Sequence, residues 1–463
     1  PVGGGDSYTG IAARGQFPPN GLLLLANDSD PNGDQIQPGF PGVLGVGVVP
    51  KSATPRSYGT LTMQFSDGSF AYTPNFGYTG DDSFAYNLCD NYGACVPITV
   101  NLIKPNSAPV TQPDFFTTKP GKGLSTTDTG GDNEILKNDS DPDEDPIRVG
   151  APGVPSIITP PQNGNVTFPF QGGEFIYGPN PGFSGLDFFV YNVCDSLGAC
   201  SIEFAYIFVT AGEAENAGRA FPAVGCPINV TNGNMWLNQI DYNLPGIGQN
   251  IQVDRFYNTT IQEVGLFGLG WSTAYDESLT IYDSKALSLN MPDGRAINFG
   301  RTDDSAPYTN LTPDFYGELV KNPDDTYTLT FKEGMVHQFR SDGKLLWQRD
   351  RDGNQTTLNY DTGGNLTGIT DTFGRTLNVT VINDKVSQIS DSIGIVANYV
   401  YNPDNTLQTV TYADNSKYQF EYTTVGGRIL LTTVKDALNN ILETHQYNAQ
   451  GRATTSEKDG GVE

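Results

Sequence analysis

Five cysteines in 463 residues are few enough for the spacing of each to matter. In YNLCDNYGAC, residues 86–95, Cys89 and Cys95 bracket a polar pentapeptide, and in YNVCDSLGAC, residues 191–200, Cys194 and Cys200 do the same. If SFAYNLC and CVPITVNL are antiparallel neighbours, the two sulfurs face each other across the base of a hairpin and a disulfide staples it. In chain-entropy terms so small a loop contributes about 2 kcal/mol. A metal site is the alternative, but Cys-x5-Cys lacks the second close ligand pair of a zinc ribbon. Disulfides imply an oxidising compartment and hence secretion, to the outside or to a cell surface. Cys226 is left over and reads as a buried free thiol.

The second ligand-bearing pattern is acidic. Asp28, Asp30, Asn32 and Asp34 alternate in NDSDPNGD, as do Asp139, Asp141, Asp143 and Asp145 in NDSDPDED. Alternate oxygen ligands around a tight turn suit calcium, the one cofactor the sequence implies. Gly33 stands where an EF-hand loop turns sharply. Gly39 and Gly150, however, occupy the place of its bidentate glutamate, and Glu144 replaces the glycine in the second copy, so neither loop is an EF-hand. An acidic turn stapled by its own Asp side chains, without an ion, is the other reading. Catalytic residues are harder to find. The only histidines are His337 and His445, and no G-x-S-x-G, H-E-x-x-H or P-loop occurs. Carboxylate pairs are plentiful enough to leave a carbohydrate-active enzyme as an outside reading, but they fall mainly in turns where solvation accounts for them. The expected role is non-enzymatic.

What must position these residues is a repeat. FAYTPNFGYTGDDSFAYN (70–87) aligns with FIYGPNPGFSGLDFFVYN (175–192), and LLANDSDPNGD (24–34) with ILKNDSDPDED (135–145), giving two homologous units of about a hundred residues. Throughout the chain 54 glycines and 31 prolines punctuate short runs rich in Tyr, Phe, Thr and Val that alternate apolar with polar. That is the pattern of strands and hairpins, with almost no helical period, and the fold class is all-β. A formal net charge of −26 repels nucleic acid, so none is expected as a partner. No run approaches the roughly 18 apolar residues of a membrane span. Pro1 opens in register with the repeat, as if the chain were a piece of something longer.

The landmarks DSYT, LLANDSDPNGD and GSFAYTPNFGYTGDDSFAYN, recurring in order, resemble the bacterial cadherin-like or Ig-like tandem modules of large surface proteins. The resemblance covers residues 1–104 and 105–210 and implies β-sandwiches acting as spacers or adhesive stalks. TAGEAENAGRA then marks a linker, 211–225. The stretch GCPINVTNGNMWLNQIDYNLPGIGQNIQVDRFYNTTIQEVGLFGLGWS resembles the N-terminal module of RHS (YD-repeat) proteins over 226–300, carried by Pro227, Asn229, Gly233, Arg255, Tyr257, Asn258, Gly268, Gly270 and Trp271; Cys226 departs from the family pattern. Over 301–463 YD-type turns recur near 350, 360, 371, 391, 401, 412, 436 and 447, one strand plus one turn apart, with Asn405 and Asn415 where a turn glycine is usual.

In RHS proteins such strands form one sheet spiralling into a shell around a C-terminal cargo, often a toxin. No DPxGL-type core motif, self-cleaving aspartate site or cargo is present in the sequence, so the shell reads as unfinished. The resemblances imply a secreted or cell-surface structural or adhesive protein, with a toxin-delivery shell fragment as the alternative. Expected partners are further copies of the chain, joined through unpaired edge strands into filaments or a surface layer, and cell-surface or matrix components.

Overall fold

The computed structural model describes residues 1–9, 24–38, 48–50, 58–63, 70–75, 80–103, 106–127, 135–210, 228–229, 233–246, 250–313, 315–458 and 461–462. The fold is all-β: among the described residues the one helical element is a 3-10 turn at Ala274–Asp276. Cys226 and the whole linker, 211–225, lie outside the described residues. By contact the chain falls into two units, Pro1–Val110 with Asp139–Arg148 and Val193–Ser201, and Thr111–Asn138 with Val149–Asn192 and Ile202–Glu463.

The first unit is built on the strand Asp82–Asp90, in which Phe84, Tyr86 and Leu88 are buried and the intervening Ser83, Ala85 and Asn87 are half-exposed. It pairs antiparallel with Cys95–Ile103, which takes Asp6–Thr9 as a parallel edge, while Ile36–Pro38 and Val48–Pro50 pair with its other side. A hairpin of Gly59–Met63 and Phe70–Pro74 forms a separate two-stranded sheet. Phe70 meets Phe84 edge-on at 5.2 Å, and with Leu24, Tyr72, Tyr86, Ile98, Val100 and Leu102 they make the core between the sheets. Each of these large side chains contributes roughly 1.5–3 kcal/mol by burial. The Tyr72 hydroxyl keeps its polar end satisfied by donating to Asp82 Oδ2 at 2.5 Å.

In the second unit the repeat is built again. Asp114–Thr118 runs parallel to Cys200–Val209, and Ile176–Pro179 pairs with Gly164–Thr167 and Leu124–Ser125. Tyr177 donates to Asp187 Oδ2 at 2.8 Å, as Tyr72 does to Asp82. Beyond it a hairpin of Asn234–Leu244 and Ile251–Asn258 carries Trp271–Ser272, followed by a four-stranded sheet over Ser278–Ile281, Ala286–Asn290, Ala296–Gly300 and Thr309–Asn310.

The rest is a single sheet of fifteen strands among the described residues, from Gly317–Lys321 to Gly461–Val462, each antiparallel to the next in sequence. Its turns follow from the Asp-x-x-Gly spacing. At 350–354 the Gly353 amide donates to Asp350 O at 3.1 Å, and Asp350 Oδ1 accepts from the amides of Asp352 and Asn354 at 3.0 and 2.9 Å. Gly353 lies at φ +89°, and Asn405 and Asn415 take the same left-handed region at +66° and +65°, which asparagine tolerates. One face of the strip, including Leu329, Phe339, Leu358, Ile369, Ala397, Val410, Phe420 and Val434, shares a continuous core with Leu237, Val253, Tyr257 and Trp271.

Candidate metal sites

The first Asp-rich loop is closed by Asp30 itself. Its Oδ1 accepts the amides of Asn32 and Asp34 at 2.8 and 3.3 Å, and Gly33, at φ +80°, returns its amide to Asp30 O at 3.1 Å. The Asn32 amide, chief among several donors, holds the Asp30 carboxyl below its ordinary range. Asp90 arrives from the hairpin, directly after Cys89, and its Oδ1 accepts the amides of Tyr92 and Ala94, both at 2.9 Å. Oxygens of Asp30, Asp34 and Asp90 then lie within 4.8 Å of one another. A cation bound 2.3–2.6 Å from each would fit that separation.

The second loop repeats the device. Asp141 Oδ1 accepts from Asp143 and Asp145 at 2.9 and 3.1 Å, Glu144 at φ +63° takes the role of Gly33, and oxygens of Asp141, Asp143 and Asp145 lie within 4.8 Å. Asp141 Oδ2 is buried with no hydrogen-bond partner among the described residues. The Ser107 amide donates to Asp143 Oδ2 at 2.6 Å, and Asn106 Nδ2 to Asp195 Oδ2 at 2.8 Å. Asp195 is the counterpart of Asp90, and its Oδ1 holds the amides of Leu197, Gly198 and Ala199.

Both cysteine pairs are disulfides. Cys89–Cys95 and Cys194–Cys200 close with Cα atoms 4.1 Å apart, and Cys89 and Cys95 are direct cross-strand partners. Each bridge fixes the hairpin end from which Asp90 or Asp195 projects.

Of the expected ligands, Asp30, Asp34, Asp141, Asp143 and Asp145 gather in the two groups, and Asn32 contributes an amide to the first turn. Asp28 faces elsewhere: its oxygens accept from the Gly4 amide at 3.0 Å and the Tyr86 hydroxyl at 2.7 Å. Asp139 also stands outside its group. Asp90 was not among the expected ligands, although the repeated Cys-Asp pair was a signal for it.

Several residues that carried the second resemblance, Arg255, Tyr257 and Trp271 among them, pack in the interior of this unit. Arg255 is fully buried; its Nε and Nη2 donate to Asp241 at 2.5 and 2.8 Å, and its guanidinium lies 4.9 Å from the centre of the Trp271 ring. Tyr399 and Tyr412 donate to the same carboxylate at 2.7 and 2.6 Å, tying the strip to this hairpin. The Leu431 amide donates to the Tyr257 hydroxyl, and Trp271 Nε1 to that of Tyr422, both at 2.9 Å. Pro227 lies outside the described residues.

Residues 1–103 and 106–207 match the bacterial Ig domain, and residues 225–299 match a domain of unknown function, DUF6531. No curated protein matches the chain. Among solved structures, the endo-fucoidan hydrolase MfFcnA9 of glycoside hydrolase family 107 is 16% identical over 35% of this chain and 28% of its own, with a TM-score of 0.18. Chicken VE-cadherin EC1-2 is 13% identical over 35% and 88%, TM-score 0.17. TcdB2-TccC3-TEV is 10% identical over 87% and 23%, TM-score 0.25. The chain spans 28% and 37% of the lengths of the first two fucoidan hydrolases it resembles. Likenesses this weak carry nothing about function.

Proposed function

We propose that the chain is a structural and adhesive protein of the cell surface or extracellular space, in which two Ig-like modules, 1–104 and 105–210, carry an RHS-type module, 226–300, and a YD sheet, 301–463. The observation that supports this reading most is the recurrence, in both modules, of a disulfide-closed hairpin beside a group of carboxylates. Disulfides persist in oxidising surroundings. Carboxylate groups with few ligands suit extracellular calcium, where modules bind with dissociation constants of about 0.1–1 mM. Calcium is therefore assigned to Asp30, Asp34 and Asp90, and to Asp141, Asp143 and Asp145, as a stiffener of a non-enzymatic stalk. The sheet edge at Gly317–Lys321 offers backbone groups to another copy by strand addition, next to Tyr316 at 65% exposure. Cell-surface or matrix components are the other partners. The alternative, part of a toxin-delivery shell, is favoured by the packing of the strip's apolar face over Tyr257 and Trp271.

Thermal unfolding with calcium titrated across millimolar concentrations tests the ion, and sedimentation with electron microscopy tests the assembly. A calcium-dependent rise in the melting temperature and multimers with regular contacts are expected. An unchanged melting temperature removes calcium from the reading, and a uniformly monomeric species at micromolar concentration removes the assembly.

A further inference from the structure

A cleft of about 670 Å³ in the second unit is lined by Lys119, Lys122 and Arg295 and by no carboxylate among its described residues. In a chain with 52 acidic and 26 basic residues, a cleft whose described charged lining residues are all cations runs against the average. The two lysines are set on one tight turn: the Lys122 amide donates to Lys119 O at 3.0 Å, and Thr118 Oγ1 to Lys122 O, also at 3.0 Å. Neither ammonium has a carboxylate partner among the described residues. Arg295 comes from the opposite wall, just before the strand Ala296–Gly300. Its Nε donates to Asp293 Oδ2 at 2.8 Å, which leaves both Nη groups without a protein partner among the described residues. Between these cations the lining mixes the hydroxyls of Thr118, Ser125, Thr210 and Thr312 with the apolar side chains of Leu124, Leu311 and Pro313.

We propose that this cleft binds a short anionic oligosaccharide. Lysines supply point charges and the Arg295 fork a bidentate seat for a carboxylate or sulfate, while the threonine hydroxyls meet sugar hydroxyls and the apolar side chains between them meet the C–H faces of the rings. A volume of this size lies in the range of small-ligand sites. The net charge of the whole molecule does not oppose it. At physiological salt the Debye length is about 8 Å, so a short ligand inside the cleft is governed by the cations around it, whereas a long polyanion would also meet the acidic surface. The site is separate from the two aspartate groups and stands whether or not those hold calcium.

The test is calorimetric titration of the full chain with trigalacturonate, with a sulfated disaccharide, and with a neutral trisaccharide as control. Binding of one acidic sugar and not the neutral one is expected, and which of the two binds identifies the anionic group. Lys119→Gln with Lys122→Gln should weaken it at least tenfold, and Arg295→Gln should weaken it again, with the melting temperature unchanged for the exposed lysine pair. Raising the salt from 50 to 500 mM should weaken it too. No binding of either acidic sugar, or binding equal in wild type and the double lysine variant, would overturn the proposal.

Discussion

At the residue scale the disulfides and the buried arginine make opposite kinds of contribution. Cys89–Cys95 acts mainly on the unfolded chain, and replacing both cysteines by serine should cost about 2 kcal/mol in denaturant unfolding. If Asp90 is a ligand, the same variant should also shrink the calcium-induced rise in melting temperature, because the hairpin end that presents the carboxylate is released. Arg255 acts in the folded state. Asp241 accepts from Arg255, Tyr399 and Tyr412 together, so Asp241→Ala strands a buried guanidinium and should cost about 3–5 kcal/mol. Exchanging Arg255 and Asp241 together for apolar residues should cost distinctly less than that single change; a double variant as damaging as the sum of the two singles would contradict this account. The cysteine pairing could be read in the sequence because two short motifs repeat. Asp90 was missed because a carboxylate brought in by a distant hairpin has no spacing to the loop it joins, so the repeated Cys-Asp pair was its only trace, and Asp28 was grouped with the others because alternation alone does not say which way a side chain faces.

At the element scale the governing unit is the turn. Asn405 at φ +66° predicts that Asn405→Ala costs about 1 kcal/mol while Asn405→Gly is nearly neutral, which urea midpoints would show. The turn aspartates also set the response to acid. The side-chain amides of Asn354, Asn365 and Asn440 hold Asp350, Asp361 and Asp436 below the usual carboxylate range. Their stabilisation is complete above the unfolded value near 4 and is lost as pH falls through the depressed folded values. Two buried groups act above that window. Burial pushes His445 down to about 4, so stability is lost between about 6.5 and 4; burial pushes Asp276 up to about 6, so stability is gained on acidification from 6 towards 4. These oppose each other. Urea midpoints should stay nearly level from pH 6.5 to 4 and fall below it, and in His445→Gln they should climb over the same interval. A wild-type loss starting at pH 6 that persists in the variant would count against this balance. Strand and turn positions were legible in the sequence, since period two and Asp-x-x-Gly are local signals. The aromatic setting of Arg255 was not, because Trp271, Tyr399 and Phe420 converge on it from distant parts of the chain.

At the scale of the whole molecule, both aspartate groups and both disulfides fall in the first unit, and the fifteen-stranded sheet in the second. Calorimetry of the full chain should therefore show one transition that chelator lowers and another, from the strip, that it leaves in place; a single transition moving as one would contradict that division. The strand order of the strip also bears on its mechanics. Every strand is zipped to its neighbour in sequence, so tension entering from one end frees one strand and one turn at a time instead of shearing the sheet apart. About ten residues are released at each step, roughly 35 Å of new contour length. Under load the strip would lengthen in even increments and dissipate force gradually, as a shock absorber does.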